Sequence, residues 1–162
     1  MSTRTNILIT YGQSRIYLYR HHDGYPANTG VDLVTKLRAC EGSADKFLRA
    51  LLSAQYDDGH KVYELTSEVH GDIEWAYAVE FNRTQSRAFP PKIGAAERGD
   101  TEDVDAAMAR ASQRVQSPAD FARTVVNPEI KEQNKRLAEL RKTHPPYRDA
   151  EDTPLLPEGD TA

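Results

Sequence analysis

One stretch constrains the fold more than any other. Ile73, Trp75, Tyr77, Val79 and Phe81 alternate without a break with Asp72, Glu74, Ala76, Ala78 and Glu80. Period two is the spacing of a β-strand, because successive side chains leave a strand on opposite sides. This strand therefore sets large apolar groups on one face of a sheet and small or acidic groups on the other. A chain built around it must hold a sheet with one strongly apolar face, and something must cover that face.

Helices are at hand to do so. Val31, Val34, Leu37 and Arg38 follow a cap at Asn28-Thr29 with helical spacing. After Gly42 and a capping Ser43, Ala44, Phe47, Leu48, Leu51, Leu52 and Gln55 trace one face of a second helix. Upstream, Asn6–Tyr11 and Ile16–Tyr19 flank the turn residues Gly12-Gln13-Ser14, so residues 5–21 read as a hairpin. Val62–Thr66 reads as a third strand. Beyond Phe81, Arg83-Thr84-Gln85-Ser86 turns the chain into a short return strand ending at Phe89, with Pro90-Pro91 and Gly94 breaking regular structure after it.

The expected fold is α+β: an antiparallel sheet of four to five strands from residues 5–21 and 61–90, with the helices of residues 29–56 packed on one face. This gives a domain over residues 1–95. From Glu97 the composition shifts. Val104, Ala107, Met108, Ala111 and Val115 form a helix stripe, Ser117-Pro118 opens a short helix, and Asn127-Pro128 opens a last one with only Ile130, Leu137 and Leu140 as its apolar residues. Residues 96–145 are expected as a helical appendage, with its helices over residues 101–142 suited to forming a homo-oligomer or docking a partner. Asp149, Glu151, Asp152, Glu158 and Asp160 with several prolines predict a disordered acidic tail over residues 146–162.

At 162 residues and a net charge of -4, the chain suits one modest core and not a dedicated nucleic-acid binder, which needs clustered Lys and Arg. No apolar run approaches the roughly 18 residues of a membrane span. The N-terminus enters a strand directly, with no signal-peptide pattern, and Cys40 has no partner for an intrachain disulfide. A cytoplasmic location is the expectation.

Two polar clusters flank the best strands. Arg20, His21, His22 and Asp23 close the hairpin, with Tyr25 just beyond. His70, Asp72 and Glu74 share the face opposite the apolar row. If they converge, Arg20, His21, Asp23, Tyr25, His70, Asp72 and Glu74 form a polar pocket for a small anionic or nucleotide-like ligand or a host protein. His21 or His22 with Asp23, His70, Asp72 and Glu74 also contain the residue types of a metal-dependent hydrolase or nuclease. The plainer reading is turn chemistry at Asp23-Gly24 and Gly71-Asp72, with Arg20 bridging to Asp72 or Glu74 across the sheet. There is no Gly-rich phosphate loop, no G-x-S-x-G elbow and no zinc-finger spacing, so no catalytic assignment and no metal ligand is made.

Tyr19-Arg20-His21-His22-Asp23-Gly24-Tyr25-Pro26, followed later by His70-Gly71-Asp72-Ile73-Glu74-Trp75-Ala76-Tyr77, resembles a group of small uncharacterised proteins of bacteriophages, prophages and bacteria typified by Y-R-H-x-D-G-Y-P and H-G-D-I-E-x-x-Y. The resemblance covers roughly residues 5–82. His22 departs from it, standing where an aromatic such as tryptophan is expected. What the resemblance implies is a phage setting: an accessory protein that interferes with host defence by binding a host protein or a nucleotide signal, or a virion component.

Overall fold

The structure is a computed structural model and describes residues 2–84 and 88–159. Strands β1 (Thr5–Tyr11), β2 (Ser14–Arg20), β3 (Glu64–Thr66), β4 (Trp75–Phe81) and β5 (Lys92–Glu97) form one sheet in the order β3-β2-β1-β4-β5. The hairpin is present as expected, with Gly12 at φ 60 supplying its turn.

The sheet is mixed, not antiparallel. β1 runs parallel to β4, in register from Thr5 opposite Trp75 to Tyr11 opposite Phe81, while every other pair is antiparallel. The cause is the connection. Residues 21–74 carry α1 (Val31–Ala39) and α2 (Ala44–Ser53), and a crossover of that length returns the chain to the same end of the sheet. The expected third strand shortens to Glu64–Thr66 and lies at the edge beside β2.

Alternation holds along β4 itself, from Trp75 to Phe81, but Ile73 precedes the strand and packs on the opposite face with Leu8, Tyr19 and Ala76. On the large-residue face Tyr77, Val79 and Phe81 pack with Ile7, Ile9 and Leu18, under Leu33, Val34 and Leu37 of α1 and Phe47 and Leu51 of α2. Ser43 caps α2 by accepting from the Lys46 N–H. Thr29 does not cap α1. The segment Pro26–Gly30 is a π-helical turn that runs on into α1, and the Thr29 hydroxyl instead donates to the Asp23 carbonyl at 2.7 Å.

The small-residue face is also buried. Ala76 and Ala78 of β4 and Ala96 of β5 receive Ala107, Met108 and Ala111 of α3 (Val104–Gln113). The chain then crosses to the large-residue face, where α4 (Pro118–Phe121), a second π-helical turn (Ala122–Val126) and α5 (Asn127–Thr143) add Phe121, Ala122, Val126 and Ile130 to the main core. The helices expected as an appendage thus close both faces of the sheet.

The return strand runs later than predicted. Phe89 is exposed, and the strand is Lys92–Glu97 with Gly94 at its centre. Glycine and alanine are weak strand formers, which hid it. Here α3 presses so close that a Cβ on Gly94 would sit 2.2 Å from the Ala111 carbonyl oxygen. Gln85, Ser86 and Asp160 lie outside the described residues.

The tail is strapped down rather than loose. The Asn127 side chain donates to the Leu156 carbonyl at 3.0 Å and accepts from the Leu156 N–H at 2.8 Å. Asn134 does the same for Thr153, both at 2.9 Å. Seven residues of helix rise about 10.5 Å and three of extended chain span about 10 Å, so the two spacings match. Arg141 pairs with Asp152, and Arg38 donates to the Pro157 and Gly159 carbonyls. Composition predicts disorder because it sees no apolar run; the strap is held by hydrogen bonds between the Asn127, Asn134 and Arg38 side chains and its backbone, which composition does not register.

Asn127 is 1% exposed, and Asn127→Ala strips the Leu156 amide of both partners. We expect a stability loss of about 1–3 kcal/mol and faster hydrogen exchange at Thr153 and Leu156. Unchanged exchange at both amides would show that the ladder does not hold the strap. No helix among the described residues is long and apolar enough to cross a membrane.

Candidate functional site

The hairpin's end divides the predicted site residues between the two faces of the sheet. Arg20, the last residue of β2, points to the large-residue face and is 7% exposed. Its Nε donates to the His22 carbonyl at 2.6 Å, and Nη1 donates to the Tyr63 hydroxyl at 3.1 Å. The guanidinium also lies 5.4 Å from the Tyr63 ring centre, and Asp23 stands 3.7 Å away. The Tyr63 hydroxyl in turn donates to Asp32 in the first turn of α1, at 2.5 Å. Burial, and then the Asp32 charge, hold the Tyr63 phenol far above its ordinary range, so it stays a donor.

The turn itself is locked. Asp23 takes φ 59, the Gly24 N–H donates to the Thr3 carbonyl at 2.9 Å, and the Tyr77 hydroxyl donates to the Gly24 carbonyl at 2.8 Å. A Cβ on Gly24 would come within 2.9 Å of that Thr3 oxygen. Half-buried Tyr25 starts the π-helical turn, its carbonyl accepting from the Asn28 and Thr29 N–H groups. Arg20, Asp23, Gly24 and Tyr25 are joined inward, as a brace between the hairpin and α1.

On the other face a different group assembles around Tyr19. His70 stacks on its ring at 3.9 Å and an interplanar angle of 20°, while His21 meets it edge-on at 4.5 Å. The Tyr19 hydroxyl donates to Asp72 at 3.2 Å, and Arg4 pairs with the other Asp72 oxygen at 2.8 Å. His21 lies 3.4 Å from Glu64 of β3. The His70 main chain is clamped by Asn6, whose amide donates to the His70 carbonyl at 2.9 Å and accepts from its N–H at 3.2 Å. Burial, followed by the Asp72 charge, pushes the Tyr19 phenol up to about 12, so it remains protonated and donates to Asp72.

Of the seven predicted residues, His21, His70 and Asp72 come together. Arg20 and Asp23 belong to the opposite face, Tyr25 to the π-helical turn. Glu74 is exposed and ties the sheet through its backbone, its N–H to Arg4 and its carbonyl to Arg98. His22 also turns away from His21, its Nδ1 lying 2.6 Å from the Ser2 hydroxyl. Tyr19, Arg4, Glu64 and Asn6 are the members that sequence reasoning missed. One signal was legible: Asn6 is a polar residue inside an apolar strand, fully buried, and such a residue is there to hold something.

Among the described residues no set of three or more His, Cys, Asp or Glu side chains is placed to hold a metal ion. Cys40 is buried and donates to the Leu37 carbonyl, and burial raises its thiol. Comparison with known proteins gives no matching family model, no matching curated sequence and no matching solved structure, so the site is read from its own geometry.

Proposed function

We propose that this chain is a non-enzymatic binding protein that engages a protein partner through His21 and His70, exposed on either side of the buried Tyr19 ring, and the adjoining edge of β3. The observation that carries this reading is the imidazole–phenol–imidazole group beside an unpaired sheet edge. Among the described residues β3 has a strand neighbour on one side only, and its Leu65 is 66% exposed. An open edge offers main-chain donors and acceptors, and aromatic and imidazole rings add contact area at small entropic cost.

A protein partner suits this surface better than a small anion. Arg20 is enclosed and its donors are engaged, Arg4 is paired with Asp72, and Glu64 adds a second carboxylate. An incoming phosphate would meet these carboxylates before a free cation. The phage setting and interference with host defence rest on the motif resemblance, and they direct the search for the partner to the bacterial cytoplasm.

A photo-crosslinking residue in place of Leu65, in producing cells, tests the idea. The captured partner should then bind the purified His21→Ala/His70→Ala variant about tenfold or more weakly, with an unchanged melting temperature. Equal affinity for variant and parent would remove this surface from the function.

A further inference from the structure

Trp75, the only tryptophan, stands half-buried at the start of β4 and forms one wall of a cavity of about 460 Å³. The cavity lies toward the large-residue face of the sheet, opposite the Tyr19 group. Ala95 of β5 gives a low wall beside the indole, and Pro26 and Val125 give apolar ones. Those two residues come from the two π-helical turns, Pro26–Gly30 and Ala122–Val126. The turns pack tightly: a Cβ on Gly30 would lie 3.0 Å from the Val126 side chain. Turns of this kind are rare and concentrate at functional sites.

Five polar residues line the cavity, and two of them matter here. Glu129, half-buried in the first turn of α5, and Arg114, exposed just after α3, both line the cavity. Among the described residues neither side chain has a hydrogen-bonded or ion-paired partner. Gln116 and Thr124, by contrast, satisfy each other at 2.9 Å. Glu97 shares the lining with Arg114. The Glu129 charge also reaches inward: burial first, then Tyr63, and last Glu129 raise the Tyr77 phenol, against a lowering by Arg20. Trp75 and Tyr77 are stacked at 6.3 Å.

Each feature selects for ligand chemistry. An indole lining one cavity with a pyrrolidine and a valine favours a flat ring. A carboxylate accepts and cannot donate, and two adjacent N–H groups on one ring edge satisfy it bidentately. The volume falls in the range of small-ligand pockets. We infer that this cavity binds a purine of the guanine type, whose ring N–H and exocyclic amine face Glu129, with a phosphate directed to Arg114. The site is independent of the partner surface proposed above, and either can fail without the other.

Because Trp75 is the sole tryptophan, its fluorescence reports occupancy of the full chain directly. Titration with GMP, guanosine and AMP, corrected against free N-acetyltryptophanamide, should give saturable quenching by GMP and guanosine and weaker quenching by AMP, which lacks the paired donor edge. Glu129→Gln should weaken GMP and guanosine about tenfold or more. Arg114→Ala should weaken GMP and leave guanosine unchanged. Circular dichroism establishes that each variant is folded, and calorimetry on the parent chain repeats the binding measurement without relying on the indole. No saturable signal for GMP or guanosine by either method overturns the inference. So does equal binding of GMP by the parent chain and folded Glu129→Gln.

Discussion

Gly94→Ala is expected to destabilise the protein by about 3 kcal/mol or more, lowering its melting temperature by roughly 6–12 °C. The added methyl would lie 2.2 Å from the Ala111 carbonyl oxygen and 2.9 Å from the Arg114 carbonyl carbon and the Val115 nitrogen. All of these are backbone atoms, so no flexible side chain can swing aside. Relief requires α3 to lift off the sheet, and Ala107, Met108 and Ala111 lift with it. The neighbouring anchor would suffer as well, because Ile93 and Gln116 exchange backbone hydrogen bonds at 2.8 and 3.0 Å. Gly71→Ala is the control. Nothing lies within 4 Å of its added methyl, and a change within about 0.5 kcal/mol is expected. Thermal melts of the two variants side by side decide the matter; equal losses would mean that α3 does not press on β5 as described.

The second large effect separates two arginines of the same end of the sheet. Arg20→Ala removes a buried cation and leaves the His22 carbonyl without the donor at 2.6 Å and the Tyr63 hydroxyl without the one at 3.1 Å. With the lost packing over the Tyr63 ring, about 3 kcal/mol is expected. Arg4→Ala breaks the shorter ion pair, 2.8 Å to Asp72, yet both partners are about half exposed. Solvent screening leaves such a pair worth under about 1 kcal/mol. Urea unfolding of both variants should therefore rank them opposite to the lengths of their ion pairs. A larger loss for Arg4→Ala would show that the network around Tyr63 is dispensable.

How far the sequence carries can be seen residue by residue. Trp75–Phe81, the hairpin, and the buried positions of α1 and α2 were legible because each rests on a local period, whereas Ile73 continues the period on paper but precedes the strand and packs on the other face. Parallel pairing of β1 with β4 was not, since it depends on where a fifty-residue crossover lands. β5 was hidden by Gly94, a residue chosen for what lies above it rather than for strand formation. The candidate site divides the same way. His21, His70 and Asp72 do meet, but through the turns that follow β2 and precede β4 rather than through a shared strand face, and Arg20, the last residue of β2, points to the opposite side. Asn127 and Asn134 look like ordinary surface residues of a polar helix until the chain's own tail is laid across them.

The central β1–β4 pair also sets an order of events during synthesis. The hairpin of residues 5–20 is complete as soon as it leaves the ribosome, but the inner edge of β1 has no neighbour until residue 81 has emerged. For that interval Ile7, Leu8 and Ile9 sit on an open strand edge, the kind that pairs with other chains. The crossover helices are made in the meantime and can shield one face of the hairpin, though not its edge. A chain halted near residue 70 should therefore aggregate, while one extended past Phe81 gains the strand that seals it. Slow passage through residues 60–80 would then be the hazard in producing this protein, whatever the stability of its finished fold.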